Sequence, residues 1–139
     1  MHTTPKLTLT LAPLIGALLL SLAPLALAND VYVVAHPSVT LTADEVREVF
    51  TGEKQSGAGG GKLVPMDNNA TQADFLAKVI KVDANKYASI WAKKGFRDGI
   101  NPPAARNGDL EVIGAIKSTP GAVGYVSKPA PELKLIQKY

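Results

Sequence analysis

From Asn29 onward the apolar positions come in short bursts whose period changes from one burst to the next. Val31 to Ala35, VYVVA, is a near-continuous β-branched and aromatic run, which predicts a strand covered on both faces. His36-Pro37-Ser38 end it. Leu41 to Phe50 switches to helical spacing, with Val46, Val49 and Phe50 on one face. Thr42 with Glu45 three residues on is a capping-box pattern, Leu41 is placed to staple against Val46, and Thr51-Gly52 stop the helix.

The stretch from Lys62 to Val82, KLVPMDNNATQADFLAKVIKV, organises the rest of the chain. Leu63, Val64 and Met66 predict a short strand, and Asp67 to Ala70 a polar turn. Phe75, Leu76, Val79 and Ile80 form the apolar face of a helix capped by the side-chain oxygen of Asn69 or Thr71. A further helix starts at Asp83 or Asn85, with Tyr87, Ile90 and Trp91 inward, Lys93-Lys94 in its last turn and Gly95 as its break. Phe96 to Arg106 reads as a Gly/Pro loop. Asp109 caps a helix with Val112, Ile113 and Ile116 as its core face, closed by Pro120-Gly121. Ala122 to Val126 predicts a buried strand in which Gly124 admits a close neighbour and Tyr125 keeps its hydroxyl at the rim. Leu133 to Ile136 predicts a last strand at an edge. The order β-α-β-α-α-α-β-β implies an α/β domain with a central mixed sheet flanked by helices, and parallel crossovers at its start.

The first segment changes the picture of length. Residues 7–28 carry no charge, Leu14 to Leu22 is strongly apolar, and Ala26-Leu27-Ala28 is a small-x-small ending. This is the pattern of a secretory signal peptide cleaved after Ala28; retention as an anchor is the alternative, and Pro13, Pro24 and the small-residue ending favour cleavage. The expected organisation is residues 1–28 as signal and 29–139 as one exported, periplasmic domain with no stable membrane insertion after cleavage. Loss of Lys6 would leave 14 bases against 12 acids, too mild and too evenly spread a charge to argue for nucleic acid. The absence of cysteine excludes disulfides, thiolate metal sites and cysteine nucleophiles.

Candidate chemistry is sparse. Glu53 to Lys62, EKQSGAGGGK, reads as a flexible loop. It fails as a phosphate-binding P-loop, because Ser56 stands where the first Gly belongs and Leu63 where Ser or Thr would hold magnesium. His36 is the only histidine after residue 28 and has no evident partner, the exposed acids Asp44, Glu45 and Glu48 form a solvated face, and Ser118 and Ser127 lack a nucleophile-elbow context, so no catalytic residue is assigned and an enzyme is not expected. Asp67, Asn68 and Asn69 lack the spacing of a calcium loop, and neither metal nor cofactor is expected. What remains is the strand–turn–helix unit at 62–82. A helix N-terminus presents free N–H groups and a favourable dipole to a small anion, although most such turns bind nothing. The candidate ligand contacts are Asn68, Asn69, Thr71 and Gln72. Thr51, Gly52, Ser38 and Thr40 are further candidates expected to line the same edge; for Ser38 and Thr40 simple turn capping is the alternative.

The ordered set Leu41-Thr42-x-x-Glu45-Val46-x-x-Val49-Phe50-x-Gly52, Leu63-Val64-Pro65, Tyr87-x-x-x-Trp91 and Pro120-Gly121-Ala122-Val123-Gly124-Tyr125-Val126 resembles the phosphate-type substrate-binding proteins of ABC uptake systems, in a short single-lobe form. The resemblance runs over about 31–136. It implies a type II periplasmic-binding fold, a phosphate or other oxyanion ligand held by hydroxyls and backbone N–H groups, and an ABC permease or a sensor as partner. Thr71 matches the family's threonine after the strand. The family's arginine there is missing, Asp67 adds negative charge, and the glycine loop replaces a tryptophan. Each lost charge-assisted bond is worth roughly 1.5–3 kcal/mol. The alternative implied by these departures is a periplasmic interaction or sensory module of the same fold that has lost high-affinity binding.

Overall fold

The computed structural model describes residues 29–139 and the isolated Thr3; the rest of the proposed signal segment lies outside the described residues. Five strands form one mixed sheet in the order β3-β2-β4-β1-β5. They are β1 (Tyr32–Ala35), β2 (Val64–Asn68), β3 (Ala104–Arg106), β4 (Ala122–Val126) and β5 (Lys134–Lys138). β2 pairs parallel with both β3 and β4, while β1 runs antiparallel to β4 and β5. A 3-10 turn, Ala43–Glu45, leads into α1 (Val46–Phe50). α2 (Gln72–Phe75) passes into a π-helical turn, Leu76–Ile80, and α3 (Ala84–Asp98) and α4 (Asp109–Ser118) follow.

Alternation along the strands builds two cores. Val33, Val123 and Tyr125 join Val46, Val49, Phe50, Phe75, Ile80 and Trp91 from α1, α2 with its π turn, and α3. Val34, Ala122 and Val126 meet Val112 and Ile116 of α4 on the opposite face. β4 lies at the centre of the sheet, and all five of its residues are buried. Three aromatic rings lock the larger core: Phe75 stacks on Tyr125 at 3.7 Å between centroids, and Phe50 stands edge-on to both. A Cβ on Gly124 would lie 2.9 Å from side-chain atoms of both Val112 and Ile116, so the missing side chain lets α4 settle onto the sheet.

The structure departs from the sequence reading in several places. The parallel crossovers do not begin at the first strand; they link β2, β3 and β4, and β1 opposes them. β2 extends through Asp67 and Asn68, which pair with Ala105 and Arg106 of a strand that the Gly/Pro loop concealed. α3 does not break at Gly95. It runs to Asp98, and Gly99, at φ +66°, takes the left-handed cap while donating to the Gly95 carbonyl at 3.1 Å. A helical glycine costs only about 1 kcal/mol, and the tertiary packing of this helix overrides that. The expected capping box is present: Glu45 Oε1 accepts from the Thr42 N–H at 3.2 Å. Thr71 occupies the N-cap of α2 without a capping side-chain bond; instead Asn68 Oδ1 accepts from Ala70 N at 3.1 Å. The glycine-rich segment is a closed turn, with Ser56 and Lys62 bridged antiparallel and Gly57 donating to Gly61 O at 2.8 Å.

Candidate functional site

Parallel strands β2, β3 and β4 all end at one edge of the sheet, and open α/β sheets receive ligands outside the carboxyl ends of their strands. Three polar groups are organised there and just inside. The innermost is Asp67, 4% exposed. Its carboxylate accepts from Tyr87 Oη at 3.0 Å and from Tyr125 Oη at 2.9 Å. Tyr125 is therefore wholly buried with its hydroxyl on Asp67, not at the rim. Burial pushes the Asp67 carboxyl up from 3.8 to about 6, against the opposing pull of the two phenol donors. Burial, then the facing carboxylate, raises both tyrosines well above their ordinary value.

This shift has a sign in stability. A group protonated more readily in the folded state stabilises fully below its unfolded pKa, and that stabilisation is lost as pH rises through its folded pKa. The window here runs from about 3.8 to about 6. Acidification from about pH 7.5 to about pH 5 should therefore raise the stability by part of roughly 3 kcal/mol, and the melting temperature with it. Glu45, lowered by its bonds to Lys54 and Thr42, works in the opposite sense only at lower pH. Thermal melts across this range check the expectation, and the rise should vanish in Asp67→Asn.

The second group is an internal carboxylate held by donors. Asp109, at the start of α4, accepts from Asn68 Nδ2 at 2.9 Å, Ser127 N at 3.1 Å and Ser127 Oγ at 2.7 Å. The other Asn68 amide hydrogen goes to the Tyr125 carbonyl at 3.1 Å. Asn68 is thus fully buried and fully engaged, tying β2, β4 and α4 together. The third group is exposed: Asn69 Nδ2 donates to Asn107 Oδ1 at 2.7 Å across the β2–α2 and β3–α4 turns.

Beside these lies a cleft of about 430 Å³ lined by Asn29, Asp30, Ala70, Thr71, Asp74, Ser127 and Lys128. The N–H groups of Gln72, Ala73 and Asp74 precede the first intrahelical bond, from Phe75 N to Thr71 O at 3.0 Å, so they lack helix partners. Lys128 contributes positive charge and Asp30 and Asp74 negative charge. Among the described residues no three His, Asp or Glu side chains gather as metal ligands.

Of the candidate contacts, Asn68, Asn69, Thr71 and Gln72 come together at this edge, with Thr71 itself buried. The other four do not line the same edge. Because β1 is antiparallel, its end delivers Ser38 and Thr40 to the amino end of β4, where Ser38 Oγ accepts from Gly121 N at 3.2 Å and meets His36 Nδ1 at 2.8 Å. Thr51 Oγ1 donates to the Arg47 carbonyl at 2.9 Å, closing α1. Gly52 joins Leu63, Val64 and Pro65 around a separate cleft. Sequence reasoning passed over Asp67 as a ligand-site neighbour of Tyr87 and Tyr125, and Asp109 as a partner of Ser127. Asp109 does not cap α4 as expected: Gly108 is the N-cap, and Asp109 is the first residue of the helix, its carboxylate taken up by Ser127 and Asn68, residues distant in sequence.

No family model and no curated protein sequence matches the chain. Solved structures do. A protein described as a phosphate ABC transporter substrate-binding protein with bound phosphate, from Clostridium perfringens, matches at 12% identity over 79% of this chain, with a TM-score of 0.56. An ABC-type phosphate transport receptor from Vibrio cholerae gives 15% identity over 79% and a TM-score of 0.48. PstS from Borrelia burgdorferi gives 14% over 70%, also at 0.48. This chain spans 46%, 47% and 40% of those chains, about half of each or less. At such identity the first likeness establishes fold alone: a mixed α/β domain with a central mixed sheet flanked by helices, shared with about half of that protein. No helix among the described residues is long and apolar enough to cross a membrane.

Proposed function

We propose that this protein is an exported, solute-binding-type protein, not an enzyme, and that it receives phosphate or a similar oxyanion at the carboxyl edge of its sheet. The observation that carries this reading is the shared fold with a phosphate-bound substrate-binding protein. Locally, it is supported by the N–H groups of Gln72, Ala73 and Asp74, which lack helix partners, and by the cleft beside them, lined by Ala70, Thr71, Asp74, Ser127 and Lys128. The place of action is the periplasm, after removal of residues 1–28, and the partner is an ABC permease.

The charges around the cleft set the affinity. Asp74 stands in the first turn of α2 and Asp30, paired with Lys138 at 3.5 Å, lies beside it, so an incoming anion meets the Asp74 carboxylate and Lys128. Calorimetric titration with phosphate, with sulfate and a dicarboxylate as controls, tests the reading. Phosphate should bind selectively, and Thr71→Ala should weaken it. Asp74→Asn should strengthen it by about threefold to tenfold, the effect of removing one like charge at a partly exposed site. Absence of heat and of any thermal shift up to millimolar phosphate would sink the reading.

A second reading has its own observation. The Asp109 carboxylate already uses the Ser127 N–H and hydroxyl and one Asn68 hydrogen, the donors that an oxyanion between β2 and β4 would need. A lobe whose donors are internally engaged suits an interaction or sensory module, and that reading leads if phosphate does not bind.

A further inference from the structure

A concavity with an apolar wall lies at the other end of the sheet from the carboxyl edge. It is a cleft of about 470 Å³ between the closed glycine turn and the segment that leads into β3. Trp91, Leu63, Pro103 and Ile100 form its apolar lining; the first three are buried and Ile100 is half-buried. Trp91 is fixed in place. Its Nε1 donates to the Phe50 carbonyl at 3.0 Å, and its six-membered ring lies so close to Gly52 that a Cβ there would be 3.0 Å away. Gly52 also holds φ +77°, so the floor of the cleft depends on that residue's lack of a side chain.

The charge in the cleft is of one sign. Lys54 and Lys62 both line it, and none of its lining residues is acidic. Lys54 is paired from outside with Glu45 at 2.8 Å. Lys62 is exposed and makes no ion pair among the described residues. A volume in the range of small-molecule sites, an immobilised aromatic floor and the charge of Lys62, which no ion pair among the described residues offsets, together select one ligand class. We propose that this cleft is a second binding site, for a small organic anion whose apolar body lies against Trp91 and whose charged end meets Lys62 and Lys54. Inorganic phosphate lacks the apolar body, so this site is independent of the carboxyl-edge reading.

Trp91 is the only tryptophan in the chain, which makes it a direct reporter. Its fluorescence would be titrated with benzoate, with benzyl alcohol as the uncharged isostere and phosphate as the anion without an apolar part. Benzoate should give a saturable change, benzyl alcohol should bind about tenfold more weakly, and phosphate should leave the signal unaltered. Lys62→Gln, at an exposed position, should weaken benzoate by about threefold to tenfold. Asn101→Phe, exposed at the cleft, should abolish the change by filling the space. Circular dichroism establishes that both variants fold. No saturable change with benzoate, equal binding of benzyl alcohol, or an unaltered response in both folded variants would each overturn the proposal.

Discussion

Gly121→Ala should unfold the protein or lower its melting temperature by more than roughly 10 °C, the shift expected for a loss of about 3 kcal/mol in a domain of this size. Two costs coincide at this residue. Gly121 sits at φ +84°, where an L side chain is strained by about 1–2 kcal/mol. A Cβ built there also runs into the backbone carbonyl of Lys62, which cannot swing aside as a side chain would. The contact is tight because Gly121 is a junction. Its carbonyl accepts from Val64 N at 2.9 Å, opening the β2–β4 ladder, and its N–H reaches Ser38 Oγ at 3.2 Å. Moving Lys62 to make room would pull the start of β2 from β4. Thermal denaturation followed by circular dichroism checks this; a variant that melts with the parent would show that the backbone yields there.

Asp67→Ala should cost about 2–4 kcal/mol, whereas Asp67→Asn should stay within about 1 kcal/mol of the parent. Alanine leaves the Tyr87 and Tyr125 hydroxyls buried without their acceptor and opens a space where the carboxylate stood. Asparagine keeps an acceptor oxygen for the phenols and removes a charge that burial already opposes. The contrast separates two roles. If the negative charge itself held the core, both variants would fall together. Urea unfolding at neutral pH, with equal slopes for the two variants, measures the difference.

These two residues also show what a one-dimensional reading can reach. The apolar faces of α1, of the Phe75–Ile80 helix and of α4 were legible because helical spacing alone specifies them: Val46, Phe50, Phe75, Ile80, Val112 and Ile116 are all buried. β4 was legible for a similar reason, since a continuous apolar run bounded by Pro-Gly leaves few alternatives. β3 was not. Ala104-Ala105-Arg106 has neither β-branched residues nor alternation and exists as a strand because β2 offers it a parallel edge. The same missing partner made Asp67 and Asn68 look like a solvent turn. Their burial rests on Tyr87, 20 residues away, Tyr125, 58 away, and Asp109, 41 from Asn68. The candidate site was half legible. Asn68 to Gln72 share a turn by sequence, but the placement of Ser38 and Thr40 depends on the direction of β1. An antiparallel first strand sends its end to the opposite edge.

The carboxyl-edge site is tested most directly by backbone amide NMR during a phosphate titration, because location and affinity come from the same spectra. Saturable shifts of the Gln72, Ala73 and Asp74 amides, extending to Asn69 and Lys128, are expected, with the amides around Lys54 and Lys62 unmoved. Unmoved resonances at Gln72 to Asp74 up to millimolar phosphate, or shifts confined to the lysine-lined cleft, would contradict it.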